Sequence, residues 1–393
     1  MKKILFVSSL QIFSPMSGGQ LRSANLCRAF AKLGYDVEVY SLTGRKEDYL
    51  RGKSSFILNP QKNLQETVNM NPILGFLQLL SYRFNLPPLW ATWLLKYYTP
   101  SDLKIKILKA DMVILDFPFL YPLFKKVRGI KWLNTHNAEF ELWADRKALS
   151  QKVRDIELAS FEWADRVLFC TERDLEKFVK AMPGLASKSA IVANGVEMGQ
   201  FQFNPDIRQE CRQQLGVSAK QKVFLFTGSS YEPNQEAFQF LRNFAFQNQK
   251  DLVQNEIVIV VAGTVSQELV DEPHFKVLGR VPEMYPYFAA ADFGLNPMTK
   301  GSGVNVKMIE FIAARLPIVS TEFGCRGLSL KNGESCYIFE RQNLLKTLLE
   351  VLSHSEREQS DITSRAFVEN ESRVDMTKAL NQIVNNPSSG MGS

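Results

Sequence analysis

Two successive series of alternating strand and helix patterns, the second beginning near residue 222, set the architecture of this chain. In the first series, short β-branched and aliphatic runs at residues 4–8, 37–42, 112–115, 130–133, 167–170 and 191–192 read as strands. Helical patterns lie between most of them. Residues 21–33 place Leu26, Cys27, Phe30 and Leu33 on one face and stop at Gly34, and residues 174–182 form another. The second series has strands at 223–226, 256–261, 275–281, 292–296 and 318–321, with helices at 235–246 and 306–315. Such alternation predicts parallel sheets with crossover helices. A single core stops growing near ~250–300 residues, and this chain has 393. The expectation is therefore α/β: two doubly wound Rossmann-like domains facing a central cleft. They span residues 1–205 and 206–363, joined through the polar, pattern-poor stretch 201–219. A C-terminal helix at 364–388 can return to the first domain.

Composition narrows the partners. With 45% hydrophobic and 22% charged residues, a disordered or fibrous chain is excluded. The net charge of +6 suits a polyanionic ligand such as a nucleotide, or an anionic membrane surface. The basic residues are scattered, with no long Lys/Arg block and no zinc-finger spacing, so no nucleic-acid partner is expected. The five cysteines contain no CxxC pair, which points to a reducing compartment and away from a metal site. The apolar part of the N-terminus is too short for a signal peptide and reads as a first buried strand, so a cytoplasmic location is expected. The most apolar stretch, 73–98, is interrupted by Arg83, Asn85, Pro87, Pro88 and Lys96 and cannot span a bilayer. It carries Trp90, Trp93, Tyr97 and Tyr98, with Lys96, Lys104 and Lys106 nearby. That mixture fits peripheral contact with the inner face of a membrane through residues 73–106, or equally a pair of helices packed on the first domain.

Open α/β sheets bind ligands beyond the carboxyl ends of their strands, so the loops after each strand are the candidates. The first strand leads to Ser17-Gly18-Gly19 and a helix containing Arg22; a glycine-rich turn at a helix N-terminus can approach a phosphate. The GxGxxG and P-loop patterns are absent there, which weighs against a nicotinamide dehydrogenase and an NTPase. His136, in Asn134-Thr135-His136-Asn137, sits where a strand should end at the cleft and can bond a sugar hydroxyl or phosphate, or act as acid or base. Thr227, Gly228 and Ser229 form a small hydroxyl-rich turn that leaves room for a diphosphate. The densest stretch runs from Asn296 to Thr321. A strand end is followed by Lys300, Gly301, Ser302, Gly303, Val304 and Asn305, and then by a helix carrying Lys307 and Glu310 on one face. A cation for phosphates and a carboxylate for ribose hydroxyls fit one nucleoside diphosphate.

Four segments, Ser17-Gly18-Gly19, Thr135-His136-Asn137, Asn194-Gly195-Val196 and residues 301–321, resemble the GT-B retaining glycosyltransferases of family four, the group 1 glycosyltransferases. The match covers both halves in order, and its most specific block runs from Phe288-Ala289-Ala290-Ala291-Asp292 to Pro317-Ile318-Val319-Ser320-Thr321. The resemblance implies transfer with retention, no catalytic metal, and no cofactor beyond the nucleotide-sugar donor. It implies that the donor is bound mostly by the second domain and the acceptor mostly by the first. Glu310 matches the second carboxylate of the family's two-glutamate motif, which holds the ribose, while the first falls at Ser302, a departure. The basic residues that many members carry after the first strand of the second domain are also missing between Gly228 and Gln235. Lys307, with Lys300 or Arg280, is the expected substitute, and His136 is expected to orient the donor sugar or leaving group.

The reading is a retaining glycosyltransferase moving a hexose-type sugar from a nucleoside-diphosphate donor, UDP preferred over GDP, to a glycan, lipid-linked or protein-linked acceptor. His136, Lys307 and Glu310 are its catalytic candidates. Two alternatives share the fold: a sugar-nucleotide epimerase, and a non-catalytic glycosyltransferase-like binding subunit, which the serine at position 302 favours. A periplasmic-type binding protein is disfavoured by the N-terminus.

Overall fold

The computed structural model describes residues 2–13, 18–196, 198–301 and 305–385. They form two compact units, one of Met1–Ala193 with Met376–Ser393 and one of Asn194–Asp375.

The first unit is built on eight strands: β1 (Lys3–Ser8), β2 (Asp36–Ser41), β3 (Phe56–Gln61), β4 (Leu64–Val68), β5 (Met112–Asp116), β6 (Ile130–Asn134), β7 (Arg166–Phe169) and β8 (Ser189–Ile191). Their order in the sheet is β3-β4-β2-β1-β5-β6-β7-β8, parallel except for the β3–β4 hairpin at one edge. The chain builds outward from β1 to β2, then crosses back to lay β5 on the other side of β1. That reversal is a topological switch point, where the connections after neighbouring strands diverge and leave a crevice.

The second unit repeats the logic with β9 (Lys222–Thr227), β10 (Ile257–Ala262), β11 (Val270–Asp271), β12 (Phe275–Val277), β13 (Phe293–Asn296), β14 (Ile318–Ser320) and β15 (Tyr337–Ile338). Their order is β11-β12-β10-β9-β13-β14-β15, with β11 alone antiparallel. Here the switch point lies between β9 and β13. The strand β10, Ile-Val-Ile-Val-Val-Ala, is buried along its whole length, as helices on both faces of a parallel sheet require.

The chain changes unit after Ala193 and after Asp375, rather than after 205 and 363. Two contacts explain the difference. Val196 N–H donates to Val374 O at 2.9 Å, and helix Pro205–Gln214 is tied to residues 289–292 through Arg208 and Arg212. The last helical stretch is two helices, Glu356–Val374 and Met376–Asn385, parted at Asp375. The first starts from a capping box at Ser355 and Glu358 and stays in the second unit. The other packs Met376 and Leu380 into the first unit's core beside Phe30 and Trp132.

Candidate functional site

Each switch point carries a cluster of polar side chains. In the first unit its centre is Asp116, the last residue of β5, with 1% of its surface exposed. Ser8 Oγ, from the end of β1, donates to it at 3.0 Å, and Ser23 Oγ, from helix Gly18–Lys32, at 2.9 Å. Asn134 Nδ2, from the end of β6, donates at 2.9 Å, and His136 Nε2 stands 2.8 Å away. The buried Arg22 donates from Nε to Asn134 Oδ1 at 3.1 Å and from Nη1 to the carbonyls of Val192 and Ala193. It therefore holds strand ends together from inside the protein. Glu66, fully buried on β4, accepts the backbone N–H groups of Ile12 (2.7 Å) and Phe13 (3.1 Å) and so pins the segment after β1.

His136 lies in this cluster, with Gly19 against its ring: a Cβ at Gly19 would stand 3.2 Å from Nδ1. Gly18 is exposed at the start of the same helix. The turn that follows His136 is held by Glu157, whose carboxyl accepts the N–H groups of Glu139 (2.7 Å) and Phe140 (3.1 Å). Burial, with the Glu139 charge beside it, pushes the Glu157 carboxyl up to about 9, and burial raises Glu139 to about 7.

In the second unit the cluster forms around Lys307, in the first turn of helix Val306–Ala313 and almost fully buried. Its Nζ donates to Asn234 Oδ1 at 2.7 Å, approaches Met298 Sδ at 3.2 Å, and lies 4.4 Å from the centre of the Phe226 ring. Asn234 Nδ2 donates to the carbonyl and hydroxyl oxygens of Ser229, so one amide joins the lysine to the turn after β9. Thr227 closes β9, and Gly228 lies so near β10 that a Cβ at Gly263 (φ +111°) would meet Gly228 O at 2.3 Å. Asn305 precedes the helix and donates to Gly324 O at 3.2 Å. Gly301 (φ +135°) needs the left-handed backbone that glycine permits. Burial drops the Lys307 ammonium to about 7, with Glu310 opposing the shift. Burial likewise lifts the Glu310 carboxyl to about 7, against the pull of Lys307. Both groups are held in surroundings that disfavour their charges.

Not every expected residue joins this cluster. Lys300 pairs with Glu232 at 2.6 Å on the exposed surface, so its charge is already answered there. Arg280 is exposed after β12. Ser17, Ser302, Gly303 and Val304 lie outside the described residues. Lys307 shares a helix with Glu310 but turns its ammonium to Asn234 and Met298.

Two further residues contribute that the sequence reading did not single out. Arg326 stacks on the Phe323 ring at 4.0 Å, and a Cβ at Gly301 would stand 3.4 Å from its Nη2; its charge helps depress Lys307. Asn296, the last residue of β13, is fully buried, and neither amide atom has a hydrogen-bond partner among the described residues. His274 is fully buried and lies edge-on to Phe246 at 6.2 Å. Cys325 and Cys336 bring their sulfurs to 4.0 Å, and all five cysteines are free and buried. Among the described residues there is no cluster of three or more His, Cys, Asp or Glu able to hold a metal, and no helix is long and apolar enough to cross a membrane.

Comparison with known proteins gives three results. Residues 221–354 match the family described as Glycosyl transferases group 1. The protein named "Putative teichuronic acid biosynthesis glycosyltransferase TuaC" from Bacillus subtilis (strain 168) is 25% identical over 195 residues. That alignment takes in 49% of this chain and 47% of that protein, so the chain matches about half of the curated relative's length. The structure is similar to Anabaena Alr3699/HepE in complex with UDP and glucose, with a TM-score of 0.67 and 17% identity over 99% of this chain and 100% of that one. It is similar also to sucrose-phosphate synthase from Thermosynechococcus elongatus (TM-score 0.63, 11% identity, 100% of both chains). A third is WaaG, a glycosyltransferase involved in lipopolysaccharide biosynthesis (TM-score 0.60, 13% identity, 97% and 99%). The fold is that of these proteins, two Rossmann-like α/β domains of the GT-B kind.

Proposed function

From a chain whose second unit carries a group 1 glycosyl transferase domain on a GT-B fold, we propose a retaining glycosyltransferase. It takes a hexose-type sugar from a nucleoside-diphosphate donor, UDP in preference to GDP, and needs no catalytic metal. The acceptor is a growing glycan, in keeping with the polysaccharide-related names of TuaC and WaaG. The preference for UDP is supported by the HepE complexes with UDP and UDP-glucose.

The observation that carries this reading is Lys307: a lysine buried at the β9–β13 switch point, beside the glycine-lined turns at Gly228 and Gly301, with a carboxylate on the same helix. A diphosphate there would restore the charge that burial disfavours, and Arg326 is placed to add a second cation. Glu310 would accept the ribose hydroxyls. As the sugar bond breaks, these cations and the helix N–H groups stabilise the charge growing on the leaving diphosphate.

Calorimetric titration with UDP, GDP and their sugar conjugates tests the reading, with Glu310→Ala as control. Micromolar binding of one nucleotide that is lost in the variant supports it. Absence of all nucleotide binding favours the non-catalytic subunit, and epimerised sugar nucleotide formed without acceptor favours the epimerase.

A lipid-linked acceptor would explain one surface of the first unit. Helices Pro72–Arg83 and Leu89–Tyr97 expose Ile73, Phe76, Tyr82, Trp93 and Tyr97, and Arg83, Lys96 and Lys104 are exposed among them. Apolar rings ringed by cations fit an anionic bilayer interface. Cosedimentation with anionic liposomes at low salt is the expected result; no binding there removes the membrane face.

A further inference from the structure

His136 is oriented more thoroughly than a buried histidine needs. Its Nε2 faces the Asp116 carboxylate at 2.8 Å. Phe117 stacks on a face of the imidazole, with centres 4.1 Å apart and planes 18° from parallel. To do so Phe117 adopts φ 79°, a left-handed backbone that a bulky residue rarely takes, and its N–H is tied to Asn134 O at 3.0 Å. The other ring nitrogen, Nδ1, is buried and has no hydrogen-bond partner among the described residues. It points to the start of helix Gly18–Lys32, where only a glycine leaves room. Buried polar atoms without partners are uncommon, and this one stands at a switch point, where open α/β sheets take up their ligands.

Asp116 explains which ligand. It accepts hydrogen bonds from three neutral donors, Ser8, Ser23 and Asn134, each from a different element. With a carboxylate as the partner, the ring proton sits on Nε2 and the lone pair on Nδ1. We propose that Asp116 is a positioning residue: it holds His136 in the tautomer whose Nδ1 accepts a hydrogen bond from a carbohydrate hydroxyl. This rests on the reading of the chain as a sugar transferase. The role differs from charge supply, because Asp116 acts through the imidazole and touches no substrate.

The test combines imidazole nitrogen NMR with kinetics on the full chain. Three histidines, His136, His274 and His354, make assignment simple, with His136→Gln identifying its signals. At pH 8 the wild type should show Nε2 protonated and Nδ1 bare. In Asp116→Asn the amide can donate to Nε2, so the opposite tautomer should appear. Transfer should fall roughly 10–100-fold in kcat, the range seen when a partner that orients a histidine is lost. Donor KM should stay within about threefold, because that site belongs to the second unit. Ser23→Ala, which removes a donor to Asp116 but not the imidazole contact, should keep the wild-type tautomer. A wild-type signal with Nδ1 protonated, or Asp116→Asn with unchanged kcat, overturns the proposal. A wild type that transfers no sugar from any donor defeats the functional reading instead, and the NMR result still decides the tautomer.

Discussion

The two switch points solve the same problem in opposite ways. Around Asp116 the charge is buried but answered: four side chains from three segments converge on one carboxylate, and Arg22 is tied to Asn134 and two backbone carbonyls. Around Lys307 the charge is buried and poorly answered. One amide oxygen, a thioether and an aromatic face surround the ammonium, and it falls to about 7. The first cluster leaves a single ring nitrogen, His136 Nδ1, to be answered. The second would be completed by the diphosphate proposed as its ligand. A site of fixed geometry and a site with an electrostatic vacancy suit orientation and capture respectively.

This contrast can be broken by substitution. Arg22→Met should cost the most, about 3 kcal/mol or more in urea unfolding, because it leaves several buried acceptors without donors. A loss below about 1 kcal/mol would mean that the first cluster is not the rigid one. Lys307→Met should show the reverse pattern. Its stability should stay within about 1 kcal/mol of wild type, since a buried ammonium gains little from its surroundings. Its affinity for the donor nucleotide should nevertheless fall about 10–100-fold, the worth of a charge-assisted contact to phosphate. Equal losses of stability and affinity would erase the distinction. Lys300→Ala should do least, changing affinity by no more than about twofold, because its exposed pair with Glu232 is worth little. A large effect there would restore Lys300 to the site.

The alternating architecture was legible because parallel strands covered on both faces must be apolar throughout, as β10 is. The β3–β4 edge hairpin was not, since β3 has no buried residue and its pattern is diluted by polar side chains. The helix carrying Lys307 and Glu310 could be read from local spacing. What could not be read was where each cation spends its charge. Lys300 meets Glu232, and Lys307 meets Asn234, across 68 and 73 residues of chain. Asp116 was invisible for the same reason: a carboxylate at a strand end is commonplace until β1, β6 and helix Gly18–Lys32 bring their donors to it. Arg326 became a candidate only when folding set it beside Gly301.

The second site should take up charge when it binds its ligand. Free Lys307, near 7, is mostly neutral at pH 8, and a bound diphosphate must raise its affinity for a proton. Donor affinity should therefore be near full by pH 6 and weaken roughly thirtyfold by pH 8.5. The direct measurement is calorimetric binding of a UDP-sugar at pH 8 in two buffers of different protonation enthalpy. The account predicts uptake of about one proton per ligand bound, abolished in Lys307→Met. Tight binding with no proton uptake, unchanged in that variant, would contradict it.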